Sequence, residues 1–320
     1  VRAWADRLFE SRSFDAVPGR RIPTGADGMN LGPAVSPDGV FTAYFSRNEV
    51  FSLDLVIAET ASGKVVRKIA NGSTDRHYDE LRFMNSAGTW SPDSKLFAFI
   101  TVREGDDGIA IVSAESGAYE RTIRIPGIQA ISHLAWSPDG NSIVFSGIAG
   151  GVSDLYLYGL EDGSLVKLTD DPYSDLQPDW SPDGSRIVFV SERDGNEELY
   201  VMNADGSNVQ RLTDNPGVDT QPAWSPDGGR IAFTRYVLPT SDGAPSASSI
   251  DIIDLATGEI TVVVRMERPN LVDVPSWSPD GSRLLVGIDE MDVEGYETGA
   301  ALGIVDIASG ELERITDFPD

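Results

Sequence analysis

The sequence has no cysteine and only two histidines, His77 and His133, among its 320 residues. Without cysteine the protein has neither disulfide bridges nor thiolate metal sites, and its redox compartment is left open. Two histidines are too few for a multi-histidine metal centre, so we predict no metal and no cofactor. The G-x-S-x-G pattern of a nucleophile elbow is also absent, and we predict no catalytic residue.

Long apolar runs and basic residues are also scarce. No apolar stretch reaches the roughly 18 residues that a membrane-spanning helix requires. Acidic residues number 51 against 25 basic ones, which gives a formal net charge of −26. A charge of this sign repels nucleic acid. It is compatible with a solvated acidic surface, with a high-salt or extracellular setting, or with a basic partner, and the sequence leaves these open.

What the sequence does contain is a repeat. The tripeptide Ser-Pro-Asp occurs six times at intervals of 44 to 55 residues, beginning at Ser36, Ser91, Ser137, Ser181, Ser225 and Ser278. The best-preserved copy shows four short extended runs separated by turn signals, at residues 178–180, 186–191, 198–202 and 209–213. Four strands in about 44 residues is the pattern of one β-propeller blade. The sequence therefore predicts an all-β fold, a six-bladed β-propeller of four-stranded antiparallel blades.

The repeated residues have clear structural roles. Ser-Pro-Asp-Gly favours a tight hairpin turn, because proline presets φ and glycine accepts a positive φ. The continuously apolar run at residues 186–190 indicates a strand that is buried on both faces. A tryptophan precedes five of the turns, and we expect these large side chains to fill the space between adjacent blades. They are Trp90, Trp136, Trp180, Trp224 and Trp277.

The N-terminal region differs from the repeats. Apolar residues recur at helical spacing over residues 1–9, which predicts a short amphipathic helix. Residues 20–24 resemble an additional fourth strand that either closes the ring or belongs to another blade. We therefore divide the chain into an N-terminal helix with a lead-in strand (residues 1–28) and the propeller (residues 29–320). Because residue 1 is valine, we expect a processed or truncated start.

Extra residues concentrate between the second and third strands and between blades. The longest such segments are residues 71–88, 237–249 and 289–299, and we name the side on which they lie the loop-rich end. Function in such scaffolds concentrates on long loops. Residues at fixed offsets before each tryptophan should form a polar ring at the channel mouth, and we predict that they bind a ligand. The ring consists of Asn30, Asn85, His133, Asp175, Gln177, Asp219, Gln221 and Asp273.

Two alternatives apply to this ring. Asp175 and Asp219 are also compatible with a structural role, in which each carboxylate caps an inter-blade turn. If they instead bind a ligand, the contacting segment of a partner protein should carry Lys or Arg.

The repeat resembles a known family. Trp-Ser-Pro-Asp-Gly, followed by an I-(V/A)-F strand, an (L/I)-Y strand and a closing R-L-T, is similar to the propeller repeat of TolB, which tricorn-type and prolyl-oligopeptidase-type peptidases share. The resemblance implies a non-catalytic, protein-binding propeller that acts as a periplasmic or extracellular scaffold. The alternative is the propeller domain of a peptidase or other hydrolase, or a lyase-type enzyme that acts at the channel mouth.

Overall fold

The computed structural model consists of short strands joined by turns. It describes residues 30–49, 52–59, 64–71, 80–81, 88–103, 106–237, 246–291 and 297–314, and within these ranges it contains 25 strands and no helix. The predicted N-terminal helix and the strand at residues 20–24 lie outside the described residues. The strands form six antiparallel sheets, and in five of them neighbours in the chain are neighbours in the sheet. This confirms the predicted six-bladed β-propeller.

The first compact unit, residues 30–172, contains three blades. Blade 1 comprises β1 (Asn30–Val35), β2 (Phe41–Glu49), β3 (Ser52–Glu59) and β4 (Val65–Asn71). Blade 2 comprises β5 (Glu80–Leu81), β6 (Thr89–Trp90), β7 (Leu96–Arg103), β8 (Asp106–Ser113) and β9 (Tyr119–Arg124). Blade 3 comprises β10 (Ala130–Trp136), β11 (Ser142–Ala149), β12 (Val152–Gly159) and β13 (Leu165–Lys167).

The second compact unit, residues 173–314, contains the other three blades. Blade 4 comprises β14 (Asp175–Trp180), β15 (Arg186–Ser191), β16 (Glu198–Asn203) and β17 (Gln210–Arg211). Blade 5 comprises β18 (Val218–Trp224), β19 (Arg230–Val237), β20 (Ala247–Asp254) and β21 (Ile260–Glu267). Blade 6 comprises β22 (Asn270–Trp277), β23 (Arg283–Met291), β24 (Glu297–Asp306) and β25 (Leu312–Arg314).

The Ser-Pro-Asp-Gly turn is closed by its own side chains. In the first copy, the Ser36 hydroxyl donates to Asp38 Oδ1 at 2.7 Å and accepts from the Phe41 amide at 3.0 Å. Gly39 has φ 70°, and Ser94 takes the same position in the second copy with φ 62°. The serine-to-aspartate bond recurs in all six turns. The repeated tripeptide is therefore a structural element, and the predicted tight turn is confirmed.

Both short turns of a blade lie at the same end of its sheet, which we name the tight-turn end. The amide of Ala204, in the turn after β16, donates to the carbonyl of Ser185, in the turn after β14, at 3.0 Å. Leu255 and Gly229 make the same contact in blade 5, also at 3.0 Å. The loop-rich end is therefore the opposite end of each sheet, as the meander topology requires.

The second strand of each blade forms much of the core. In β15, Ile187, Val188, Phe189 and Val190 are at most 1% exposed. A strand without a solvated face has its side chains covered on both sides, which confirms the interpretation of this apolar run. Burial of such side chains supplies the main favourable free energy of folding.

Tryptophans fill the space between adjacent blades. Trp90 belongs to one buried cluster together with Leu55 of blade 1 and Phe97 of its own blade. In the second unit, Arg230 of blade 5 stacks over the ring of Trp277 in blade 6, with its guanidinium carbon 4.8 Å from the ring centroid. The Trp277 indole also donates to the Ala223 carbonyl at 2.9 Å. A buried aromatic side chain with both contacts anchors one blade to the next.

The first strand of blade 2 is split. Leu81 pairs with Thr101 and Thr89 pairs with Ala98, so residues 82–88 lie between two short segments that share β7 as their partner. Leu81 pairs with the residue four positions after the partner of Trp90, and in blade 4 Asp175 pairs with the residue four positions after the partner of Trp180. Leu81 and Asp175 are therefore structurally equivalent. Leu81, however, lies nine residues before its tryptophan and Asp175 only five, so counting residues back from the tryptophan does not find the equivalent position in blade 2.

Two of the predicted long loops are shorter than expected. The loop predicted at residues 237–249 is shortened because β20 already begins at Ala247, and that at 289–299 because β23 continues to Met291 and β24 begins at Glu297. The remaining residues of both loops, like most of residues 71–88, lie outside the described residues.

Candidate functional site on the first strands

The first strands of blades 3 to 6 share an irregularity. In each, the pairing register with the second strand shifts between the residue four positions before the tryptophan and the residue directly before it. The residue three positions before the tryptophan has a positive φ in all four blades: His133 (50°), Gln177 (53°), Gln221 (52°) and Val274 (46°). Such values are uncommon outside glycine, and they mark positions that the surrounding structure holds in place.

Two glutamines of this set connect neighbouring blades. The Gln177 Oε1 atom accepts from the Gln221 amide at 2.6 Å and from the Thr220 hydroxyl at 2.7 Å. The Gln221 Oε1 atom in turn accepts from the Val274 amide at 3.0 Å and from the Thr234 hydroxyl at 2.9 Å. A first strand is the edge of its sheet, so its outward amides need acceptors from elsewhere. The preceding blade supplies them.

We name Gln177, Gln221 and Val274 the bulge row. The row lies entirely within the second unit, where β14 contacts β18 and β18 contacts β22. Both glutamines are half-buried, whereas the Val274 side chain is 54% exposed. The row therefore presents two amides and one apolar group at the loop-rich half of the first strands.

The predicted ring aspartates of blades 4 and 5 are buried in ion pairs. Asp219 is fully buried and accepts from Arg235 Nε at 2.7 Å and from the other end of the same guanidinium at 2.8 Å. Asp175 is also fully buried, and one Arg193 nitrogen lies 3.0 and 3.1 Å from its two carboxylate oxygens. Each carboxylate thus has an arginine of its own blade as a partner.

Arg235 also joins the first and third strands of blade 5. Its second terminal nitrogen donates to Asp251 at 2.7 Å, and Asp251 is fully buried. The Asn215 side-chain amide donates to Asp219 at 2.7 Å from the inter-blade connection. Sequence reasoning missed Arg193, Arg235 and Asn215, because these residues meet the aspartates only across the strand pairing and the connection.

His133 holds the bulge position of blade 3. Its side chain is half-buried, and its Nδ1 atom is buried without a hydrogen-bond partner among the described residues. Burial disfavours the charged imidazolium and lowers the pKa of His133 to about 4. The imidazole is therefore neutral at physiological pH.

The remaining ring positions are distributed differently. Asp273 is half-buried beside Tyr236, whose hydroxyl lies 3.5 Å from its Oδ2 atom. A Cβ at Gly287 would lie 2.3 Å from Asp273 Oδ1, so only glycine leaves room for this carboxylate. Asn30 begins β1 and pairs with Ser46, and Asn85 lies outside the described residues. Ligand binding by the ring therefore stays a prediction.

One further carboxyl group is perturbed. Asp179, just before Trp180, accepts from the Trp224 amide of the next blade at 3.1 Å. Burial raises the pKa of Asp179 to about 6, and the hydrogen bonds to backbone amides only partly oppose this.

Two negative findings concern the residues that the structure describes. They contain no group of three or more His, Asp or Glu side chains that could hold a metal ion. They also contain no helix of the length and hydropathy needed to cross a membrane.

The repeats define a class of protein. The TolB beta propeller domain model matches residues 166–237, which cover the end of blade 3, all of blade 4 and the first half of blade 5. Together with the six meander sheets, this match shows that the chain resembles TolB-type β-propeller repeat proteins.

Two solved structures with different names superpose on this chain. A TolB structure from Agrobacterium tumefaciens is 25% identical, covers 79% of this chain and 87% of its own, and superposes with a TM-score of 0.60. Oligogalacturonate lyase from Vibrio parahaemolyticus has a TM-score of 0.66 at 15% identity over 94% of this chain and 84% of its own. This likeness shows the fold alone.

A third relative is named as a peptidase. The uncharacterized peptidase YuxL of Bacillus subtilis (strain 168) is 33% identical over 118 residues, which are 35% of this chain and 16% of that protein. The matched part is therefore a small fraction of the whole peptidase.

Proposed function

We propose that the protein is a non-catalytic, protein-binding propeller that recognises its partner at the loop-rich end and serves as an extracytoplasmic envelope scaffold. The observation that carries the proposal is the bulge row, where three successive first strands present two amides and an exposed valine beside one another. Convergent polar groups beside an apolar one are typical of recognition sites. The similarity to TolB over most of the chain supports the same class.

The proposed location rests on the same similarity. TolB-type relatives support a place in the cell envelope, and the acidic composition is compatible with it. Fractionation of source cells, with the chain detected by antibody, tests this point. Recovery in the cytoplasmic fraction would contradict the envelope role.

The second candidate is an enzyme or the propeller of one. It is favoured by the partial match to YuxL, which is named as a peptidase. Against a catalytic role of the ring carboxylates, Asp175 and Asp219 are already paired with arginines. A carboxylate held in this way is not available as a general acid or base without breaking its ion pair.

The two candidates are separated by direct assay. The purified chain is incubated with oligogalacturonides and with a panel of fluorogenic peptides, and it is separately immobilised for capture of envelope proteins. We expect no turnover, and we expect capture of a partner that Val274→Gly or the double variant Gln177→Glu/Gln221→Glu reduces. Turnover that tracks the folded protein through purification would overturn the proposal in favour of the enzyme.

A further inference from the structure

The chemistry of the bulge row indicates what kind of ligand it binds. We propose that Gln177, Gln221 and Val274 bind an extended, uncharged peptide segment, whose backbone carbonyls accept from the two glutamines and whose apolar side chain packs on the valine. The inference rests on the proposed function and specifies the recognition chemistry of that site.

The orientation of both glutamine amides is fixed by the protein. Each Oε1 atom accepts two hydrogen bonds, one from a backbone amide and one from a threonine hydroxyl. Because a backbone amide and a hydroxyl donate to the same atom of each side chain, that atom is the amide oxygen. Each Nε2 therefore points away from these donors. Neither Nε2 has a hydrogen-bond partner among the described residues, and neither is among their fully buried, unpaired side-chain atoms. Two oriented donors are therefore open to a ligand.

Val274 adds an apolar contact at the end of the row. A β-branched residue at φ 46° is a conformational outlier, and its side chain is 54% exposed. Its amide is held by Gln221 Oε1 and by the Thr234 hydroxyl at 3.2 Å. Strain of this kind persists where the surroundings hold a residue in position, and here it displays an apolar side chain to solvent.

Two carboxylates near the row are neutralised within the chain. Asp175 and Asp219 are fully buried against Arg193 and Arg235, so they offer little free charge to a ligand. This differs from the expectation of a Lys- or Arg-bearing partner. A ligand of this row needs acceptors for the amides and an apolar group for the valine. The backbone of an extended peptide provides carbonyl acceptors at regular spacing, and its side chains can supply the apolar group, so one ligand meets both requirements.

The test uses variants that change the donors but keep the blade contacts. In Gln177→Glu/Gln221→Glu, one carboxylate oxygen can still accept from the same amide and hydroxyl, while each donor becomes an acceptor. Val274→Gly removes the apolar group at a position where glycine is unstrained. Gln210→Glu, on the exposed strand β17 of the same unit, adds one negative charge away from the row and serves as the control for each of the two single substitutions Gln177→Glu and Gln221→Glu.

The probe is a random peptide library displayed on phage and panned on the full chain. Selected peptides are synthesised and titrated by calorimetry at low and high salt. We expect peptides without enrichment in Lys or Arg, affinities that change little with salt, at least about tenfold weaker binding to the double-glutamate variant and to Val274→Gly, and unchanged binding to Gln210→Glu.

Other outcomes separate the two proposals. Selection of Lys- or Arg-rich peptides whose affinity falls with salt and rises in the double-glutamate variant would overturn this inference and leave the protein-binding function standing. If the panel of peptides and oligogalacturonides shows binding only of the sugars, both proposals are wrong.

Discussion

The substitution Asp219→Asn tests whether the buried ion pairs of the second unit stabilise the fold. Asp219 is fully buried and accepts three hydrogen bonds, two from Arg235 and one from Asn215. Asparagine keeps the shape of the side chain, but it turns one acceptor into a donor that faces the guanidinium. The change therefore isolates the electrostatic part of the contact.

The magnitude follows from the contacts that remain. A hydrogen bond to a charged group contributes about 1.5–3 kcal/mol, and the asparagine oxygen can retain one of the two bonds from Arg235. Arg235 also keeps Asp251 at 2.7 Å, so its charge is not left unpaired. We expect a loss of about 2–4 kcal/mol in the free energy of unfolding, below the roughly 3–5 kcal/mol typical when a buried charge loses its only partner. For a chain of this size the corresponding fall in Tm is roughly 3–6 °C.

Urea unfolding followed by tryptophan fluorescence, with a thermal melt by circular dichroism, measures both quantities. Asp273→Asn is the matched control, because Asp273 is only half-buried, and we expect it to cost less than about 1 kcal/mol. If Asp219→Asn unfolds within about 0.5 kcal/mol of the wild type, the ion pair does not stabilise the fold and the reasoning is refuted. The result also matters for the interpretation of binding tests. If Asp175 and Asp219 are substituted together, the fold is weakened as well as any ligand contact, so a loss of binding has two possible causes.

Three further predictions follow from single groups. Asp179 has its pKa raised to about 6 from an ordinary value of 3.8, so the folded state retains a proton that the unfolded chain releases; its contribution to stability should fall as pH rises from about 4 to about 6, and relative to the wild type Asp179→Asn should make the slope of stability against pH more positive in urea titrations across this range. His133 has its pKa lowered to about 4 from 6.5, so the unfolded chain binds a proton that the folded state excludes; its contribution is opposite in sign and should fall as pH drops from about 6.5 to 4, and a His133→Gln variant whose slope equals that of the wild type would contradict the assignment. Trp277→Ala removes an inter-blade aromatic side chain that is 6% exposed and should cost about 3–5 kcal/mol in the same unfolding assay; a loss below about 1 kcal/mol would show that the blades do not depend on it.

The fold was predictable because its signals are local. The Ser-Pro-Asp-Gly turn is closed by hydrogen bonds among residues at most five positions apart, so each copy specifies its own hairpin wherever it occurs. The second strand at residues 186–191 was predicted with the bounds that the structure shows, because an unbroken apolar run needs no distant partner to be recognised.

The candidate site was less predictable because its contacts are not local. The offset from the tryptophan located Gln177 and Gln221, but a count of residues does not show which atom of a side chain is occupied. Arg193 and Arg235 lie 18 and 16 residues from the aspartates that they pair with, in segments without a distinctive pattern. In blade 2 the offset itself fails, because an insertion inside a strand leaves the tryptophan in place and moves the paired position back to Leu81.

The contact between successive first strands also bears on how such arrays change their number of blades. The contact requires a glutamine on one first strand. On the first strand of the next blade it requires only a main-chain amide, which every residue except proline possesses. The Val274 amide donates this bond just as the Gln221 amide does, although the two side chains have nothing in common. A duplicated blade can therefore join an existing array without a matching substitution in its new neighbour, and a gain or loss of one repeat need not wait for two mutations at once.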